Sequence, residues 1–195
     1  MTVTAPPLAM RERVLEAAVT LTTDDGWAHV TMARLAEVVG VSRQTVYNEV
    51  GSKPALAEAM ILRELDRFLG LVTVAFDAHP TELVEAIRAA SRAVLEASQD
   101  NQLLRAIVSA THGADTELLP LLTTHAGTLL STAKAVVVER VAPYDVGLAP
   151  AQLDAAIDMV VRVVLSHVMQ PSAAPDRTAD DIAWVSARVL RAHGA

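Results

Sequence analysis

The sequence has no cysteine among its 195 residues, and aromatic residues make up only 3% of it. Without cysteine there is neither a disulfide nor thiolate chemistry, which fits a cytoplasmic protein. With so few aromatic rings, the core has to be built from alanine, valine, leucine and isoleucine, and such a core suits helices packed on helices. We therefore expect a helical protein of the cytoplasm.

Motifs of enzyme sites are also missing. The sequence has no glycine-rich phosphate loop, no Gly-x-Ser-x-Gly nucleophile motif and no His-Glu-x-x-His metal motif. His112 lies near two acidic residues, Asp115 and Glu117, but their spacing is not that of a helical metal site. We therefore expect neither an enzyme nor a metal site, and no cofactor.

Long apolar runs are absent as well. A membrane-spanning helix needs roughly 18 or more consecutive apolar residues. The most apolar stretch, residues 159–169, is interrupted by Arg162, Ser166 and His167. The first ten residues lack the basic start and the apolar stretch of a signal peptide. We expect no contact with a membrane.

What the sequence does contain is a helical periodicity of apolar residues, interrupted by proline, glycine and asparagine. It shows no alternating strand pattern and no internal repeat, so the predicted fold class is all-α. Outside residues 31–53, the predicted helices span residues 10–23, 54–78, 81–98, 103–110, 118–141, 151–169 and 180–192. A loop around Pro171 and Pro175 is expected before the last of them.

Residues 31–53 carry the most specific pattern in the chain. Thr31 and Ser42 are suited to begin helices, because a hydroxyl accepts from a free backbone N–H one turn on. The glycine between them lies where a helix commonly ends. Val46 and Val50 lie one helical turn apart and should face inward. The spacing predicts two short helices joined by a tight turn, a device that places side chains in the major groove of DNA.

The second of these helices has a polar face opposite its valines. That face is predicted to carry Arg43, Gln44, Tyr47 and Asn48. Arginine suits the hydrogen-bonding edge of guanine, and glutamine and asparagine suit adenine. Hydroxyl and ammonium groups that suit phosphate oxygens are those of Thr31, Ser42, Thr45, Tyr47 and Lys53. The alternative is that both helices are amphipathic parts of an ordinary helical core.

The charge of the chain argues in part against DNA binding. The net charge is −7, of which residues 1–55 contribute −1 and residues 56–195 contribute −6. A DNA-binding surface needs cations to displace the counterions condensed on phosphate. We expect modest affinity for non-specific DNA and reliance on a dimer with two reading heads. In the alternative, the acidic residues form a solvated surface without bearing on DNA.

Residues 11–60 resemble the N-terminal domain of the TetR family of bacterial repressors. The match runs through Ala17, Ala18, Leu21, Gly26, Thr31, Leu35, Ala36, Gly40, Val41, Ser42, Thr45, Val46, Tyr47, Ser52, Lys53 and Leu56. The resemblance implies a three-helix helix-turn-helix domain over residues 1–55. A larger helical domain for effector binding and dimerisation would follow over residues 56–195.

The same resemblance implies roles for individual residues. Phosphate or groove contacts would come from Thr31, Ser42, Thr45, Tyr47 and Lys53, and reading of the operator from Arg43, Gln44 and Asn48. The chain departs from the family pattern at Thr22, Val50 and Pro54, and Glu49 adds a negative charge near the DNA. The segment from Ser42 to Glu49 also resembles actinobacterial regulators of fatty-acid and alkane metabolism.

The last two predicted helices are apolar on more than one side. A helix of this kind must be buried against more than one partner, and in a small protein we expect the second partner to be another copy of the chain. The resemblance likewise implies a homodimer through the last two helices. The alternative is burial wholly within one subunit.

The middle helices are the candidate effector site. Apolar residues that could line a cavity are Phe68, Val72, Leu95, Leu104, Val108, Leu122, Leu129, Met159 and Val163. Polar groups among them could be His112, His125 and His167. An apolar cavity with few aromatic rings suits an aliphatic effector such as an acyl chain. The alternative is that these residues are plain core.

Two functions are therefore considered from the sequence. The first is a DNA-binding regulator that a small apolar ligand releases from a palindromic operator, because the ligand favours a form with wrongly spaced reading heads. The second is a helical protein that binds a small molecule and does not contact DNA.

Overall fold

The computed structural model describes residues 9–105 and 126–191, and within these ranges all regular structure is helical, as predicted. A short 3-10 helix spans Trp27–His29. The α-helices are α1 (Met10–Asp25), α2 (Met32–Val39), α3 (Arg43–Val50), α4 (Lys53–Ala78), α5 (Leu83–Gln99), α6 (Ala126–Val141), α7 (Pro150–Met169) and α8 (Pro175–Arg191). In the part of the chain described, no helix is long and apolar enough to cross a membrane.

The start of the last helix was predicted wrongly. We expected a loop around Pro175 and a helix from residue 180, but α8 begins at Pro175 itself. Proline is well tolerated in the first turn of a helix, where its missing N–H has no intrahelical partner to lose. Thr178 in the first turn and Ala179 directly after it are buried, so packing of these residues favours the earlier start.

The described residues form two compact units. The first contains residues 9–63 and 102–105, and the second contains residues 64–101 and 126–191. Helix α4 begins in the first unit and ends in the second. Because the helix-turn-helix pair lies wholly in the first unit and α5 to α8 lie in the second, the two units have to be considered separately.

The first unit packs α1, α2, α3 and the start of α4 around one apolar core. Its most deeply buried large side chains are Val14, Val30, Leu35, Val46, Leu56 and Thr22. Thr22 is one of the positions at which the chain departs from the family pattern. Its hydroxyl donates to the carbonyl of Ala18 at 2.6 Å, so this polar group is satisfied inside the core.

The second unit is built on close packing of α5 along α8 and on α4, α6 and α7. Ala86 and Ala90 of α5 and Ala183 of α8 are buried, and such small side chains allow helices to approach closely. The Tyr144 hydroxyl donates to the carbonyl of His79 at 2.7 Å and holds the loop after α6 to the end of α4. Burial raises the pKa of Tyr144, which keeps this donor protonated.

Candidate nucleic-acid interface

Helix α2 begins and ends as the sequence predicted. The Thr31 hydroxyl accepts a hydrogen bond from the backbone N–H of Arg34 at 3.2 Å. Gly40 has a φ of 76° and a ψ of 39°, in the left-handed region that favours glycine. Its N–H donates to the carbonyls of Ala36 and Glu37. These local hydrogen bonds end the helix sharply and turn the chain toward α3.

Helix α3 is fixed in rotation by its two valines. Val46 is fully buried and Val50 nearly so, and both belong to the core of the first unit. At the start of the helix, the Ser42 hydroxyl accepts from the backbone N–H of Thr45 at 3.1 Å. Burial of the valines on one side leaves the other side of the helix for solvent.

The outward side of α3 carries the residues that the sequence placed there. Arg43, Gln44, Tyr47 and Asn48 are all exposed, and Tyr47 keeps 44% of its surface accessible. The Gln44 amide nitrogen donates to the amide oxygen of Asn48 at 2.9 Å. The structure therefore brings the three predicted reading residues and Tyr47 together on one polar face of α3.

Apart from Tyr47, the predicted phosphate-binding groups lie at or near the starts of α2, α3 and α4. Thr31 and Ser42 are exposed, Thr45 is half-buried, and the hydroxyls of Ser42 and Thr45 lie 2.9 Å apart. Lys53 is the first residue of α4, and its ammonium group lies 4.9 Å from the ring centroid of Trp27. A cation over an indole face is attracted by the ring quadrupole, so Trp27 holds the lysine in place.

Sequence reasoning missed Trp27. It is buried in the first unit and is one of only two tryptophans in the chain, and this rarity was the signal that could have drawn attention to it. Its contact with Lys53 joins residues that are far apart in the sequence. No local pattern encodes that contact.

The positive charge of the first unit is partly neutralised. Arg34 pairs with Asp25 at 2.6 Å, whereas Arg43 points outward from α3. Exposed ion pairs contribute little to stability, but each one lowers the local potential that attracts phosphate. The Arg34–Asp25 pair therefore reduces the positive potential that the first unit presents to phosphate.

The predicted effector residues that the structure describes are divided between the two units. Val72 and Leu95 are buried and Phe68 is half-buried in the second unit, and the half-buried Leu129 and His167 also belong to it. Leu104 is half-buried and belongs to the first unit. The remaining predicted residues, Val108, His112, Leu122 and His125, lie outside the described residues.

Placing Met159 and Val163 inside a cavity with the buried residues was a mistake. Met159 is 62% exposed and Val163 is also exposed. Ile157 and Val161 are the residues of α7 that face the core. Because two residues turn a helix by about 200°, Met159 and Val163 lie on its opposite side.

The last two helices, α7 and α8, carry several large apolar side chains that are exposed to solvent. We call the large exposed apolar residues of the last two helices the α7–α8 face; they are Met159, Val163, Leu165, Met169, Trp184, Val185 and Val189. So many large exposed apolar side chains on two helices make the α7–α8 face a candidate interaction surface. Among the described residues, no group of histidine, aspartate and glutamate is arranged to hold a metal ion.

Comparisons with known proteins agree with this arrangement. Residues 14–60 match the family described as bacterial regulatory proteins, tetR family. Residues 82–188 match the C-terminal domain of the bacterial tetracyclin repressor. The first match contains the complete α2–α3 pair, and the second contains α5 to α7 and most of α8.

Individual relatives match over nearly the whole chain. The HTH-type transcriptional regulator AlkX of Mycobacterium tuberculosis is 31% identical over 95% of this chain and 87% of its own length. The crystal structure of the TetR family repressor AlkX from Dietzia sp. strain DQ12-45-1b, implicated in biodegradation of n-alkanes, is 28% identical with a TM-score of 0.75. That match covers 97% of this chain and 99% of the other.

A more distant structure shares the fold alone. It is the transcriptional regulator FadR of Bacillus subtilis in complex with stearoyl-CoA, which is 13% identical with a TM-score of 0.60. The match covers 90% of this chain and 96% of the other.

The cap at Ser42 leads to a stability prediction. Ser42→Ala should lower the free energy of unfolding by about 1 kcal/mol, because a backbone N–H of α3 loses its acceptor. Ser42→Asp should keep most of this stability, since aspartate also accepts at that position. Urea denaturation measures both values. Thr20→Ala is the control, since the Thr20 hydroxyl is exposed and bonds only within α1. Equal losses for Ser42→Ala and Thr20→Ala would contradict the capping role.

Proposed function

This chain belongs to the TetR family of bacterial regulatory proteins, and from that premise we propose that it is a dimeric repressor with a palindromic operator and a small apolar effector. It is a DNA-binding transcriptional regulator and not an enzyme. Regulators of this family bind DNA operators and small-molecule effectors and act as dimers. The alternative of a helical binding protein that does not contact DNA is therefore set aside.

The observation that carries the DNA-binding proposal is the two-sided character of α3. Its buried side is anchored by Val46 and Val50, and its exposed side presents a cation and hydrogen-bonding groups. A helix of this kind fits the major groove, where base edges are distinguishable by their donors and acceptors. In this proposal residues 1–55 bind DNA, and residues 56–195 bind the effector and dimerise. The protein acts in the cytoplasm, where its operator is.

The contacts proposed for each half-site divide into two groups. Arg43, Gln44 and Asn48 read bases. Phosphate or groove contacts come from Thr31, Ser42, Thr45, Tyr47 and Lys53. The contact of Lys53 with Trp27 supports its role, because it orders a flexible side chain before DNA arrives and so lowers the entropy lost on binding.

Gln44 and Asn48 are proposed to read one adenine together. The Gln44 amide donates to the Asn48 amide oxygen. The carbonyl oxygen of Gln44 and the amide N–H groups of Asn48 therefore remain available to a base. An acceptor beside a donor is the complement of the N6 and N7 edge of adenine. The pair then acts as one unit, so its two members should not contribute independently.

Selection of bound DNA from a random pool tests both the regulator and the adenine pair. The wild-type chain should enrich a palindrome with a conserved adenine in each half-site. Gln44→Ala and Asn48→Ala should each relax that position, and the double variant should lose little more affinity than either single variant. The affinities of the wild type and the three variants, measured by fluorescence anisotropy, form a double-mutant cycle.

The Tyr47→Ala/Lys53→Ala double variant should lose operator binding while remaining dimeric. If the wild-type chain enriches no palindrome, the operator proposal is wrong.

The α7–α8 face is proposed as the dimer interface. It lies on the last two helices and is formed by large apolar side chains that one subunit leaves exposed. A two-fold axis that pairs this face with its copy would bury the same residues twice, as in a four-helix interface. Two-fold symmetry of the protein also matches the symmetry of a palindromic operator.

A matched pair of valines tests this interface. Val185 on the α7–α8 face is 52% exposed, and Val74 on α4 is 68% exposed. Val185→Glu should shift the protein to a monomer, because a carboxylate would be buried without a partner. Val74→Glu should remain dimeric. Sedimentation velocity distinguishes the two states. A Val185→Glu protein that sediments as the wild-type dimer would rule out this interface.

The effector is proposed to be an aliphatic chain, as an alkane or an acyl compound. The repressor AlkX of Dietzia, which is implicated in biodegradation of n-alkanes, is similar to this chain over nearly its whole length. The interior of the second unit supplies aliphatic side chains and few rings, with Phe68, Val72 and Leu95 among its partly or fully buried residues. Such an interior suits a flexible apolar chain better than a flat aromatic compound.

A ligand series tests the effector class. Hexadecane, palmitic acid and palmitoyl-CoA are each compared with a flat polycyclic aromatic compound in two assays. At least one aliphatic compound should raise Tm, because a ligand that binds only the folded state stabilises it, and should release the protein from its selected operator. If no aliphatic compound changes either quantity, the effector proposal fails. The DNA-binding proposal would then stand on its own evidence.

A further inference from the structure

The first turns of α1 contain two arginines whose guanidinium groups reach the ends of both helices of the DNA-binding pair. Arg13 donates through Nη2 to the carbonyl of Val39, the last residue of α2, at 2.8 Å. Arg11 donates through Nη1 to the carbonyl of Glu49 in the last turn of α3. Two arginines in the first turn of α1 thus cap the C-terminal ends of two other helices.

Each of these contacts supplies a hydrogen-bond donor to a carbonyl at the C-terminal end of α2 or α3. The last carbonyls of a helix have no intrahelical donor, and the C-terminal end of the helix carries a partial negative charge. Neither α2 nor α3 has a basic residue in its last turn. Arg11 and Arg13 therefore supply both the missing donors and the favourable charge from outside.

The same stretch of α1 also contacts α4. Arg63 of α4 pairs with the carboxylates of Glu12 and Glu16, with its Nη2 lying 3.3 Å from the Glu16 Oε1. Residues 11–16 thus contain two arginines that contact α2 and α3 and two glutamates that contact α4. The start of α1 is the point where the other three helices of the first unit are tied by polar contacts.

We propose that Arg11 and Arg13 are positioning residues for operator recognition, which act through α2 and α3 and not through contact with DNA. Their two hydrogen bonds fix the direction of α3 relative to α2, and so the depth at which its polar face enters the groove. This inference rests on the proposed role of α3 as the reading helix. A guanidinium suits the task because its planar donors are held in a rigid fork, so little freedom is lost for each bond formed.

The test compares arginine-to-methionine variants at three positions in the same unit. Methionine keeps an apolar stem and removes the charge and the donors. Arg11→Met and Arg13→Met each remove a capping contact, whereas Arg34→Met removes the same charge from a side chain that pairs with Asp25 and caps no helix. Binding to the selected operator and to a scrambled duplex is measured on folded dimer well below Tm, over a series of salt concentrations.

Positioning predicts a loss of specific affinity with an unchanged salt dependence. Arg13→Met should weaken operator binding by about tenfold or more, the equivalent of one charge-assisted hydrogen bond. Binding to the scrambled duplex and the slope of log Kd against log salt should stay at the wild-type values. Arg13→Lys, which keeps the charge and one donor, should recover part of the loss and serves in place of Arg13→Met if that variant does not fold. Arg34→Met should bind the operator as the wild type does.

Two results would overturn the inference. The first is operator affinity of both capping variants within experimental error of the wild type. The second is a fall in the salt slope by about 2 for the dimer, which is what loss of one phosphate contact from each head produces. Failure of the wild-type chain to bind any selected duplex would instead count against the proposed function, so the two failures are distinguishable.

Discussion

The burial of Val46 and Val50 in the core of the first unit is the constraint on which the rest of the site depends. Each buried valine side chain contributes about 1.5 to 3 kcal/mol of hydrophobic stabilisation, so rotation of α3 that exposes them is strongly disfavoured. With the rotation fixed, the direction of every other side chain on the helix follows. Arg43, Gln44, Tyr47 and Asn48 point outward because the valines point inward.

The DNA-binding unit relies on geometry more than on charge. Residues 1–55 carry a net charge of −1, and the pairing of Arg34 with Asp25 lowers the positive potential further. A protein with few free cations gains little from counterion release, so its affinity must come from well-placed contacts repeated on two heads. The hydrogen bonds of Arg11 and Arg13 to α2 and α3 are consistent with a reliance on geometry, because these two arginines position helices of the first unit.

The parts of this structure that the sequence predicted are those with local causes. The caps at Thr31 and Ser42 and the glycine turn between them each involve residues within a few positions of one another, so residue type and spacing suffice. The contacts of Arg11, Arg13 and Trp27 join distant positions and depend on the packed fold. Met159 and Val163 were misplaced for another reason. Helix α7 is apolar on more than one side, so periodicity could not tell its core side from the α7–α8 face.

In the proposed mode of binding, α3 enters the major groove with its polar face, and two copies do so on one duplex. Hydroxyl-radical footprinting of the wild-type protein on its selected operator tests this most directly. The account predicts two protected patches on the same face of the duplex, centred about 10 base pairs apart or at a whole multiple of that distance. A single patch, or two patches on opposite faces of the duplex, would contradict it.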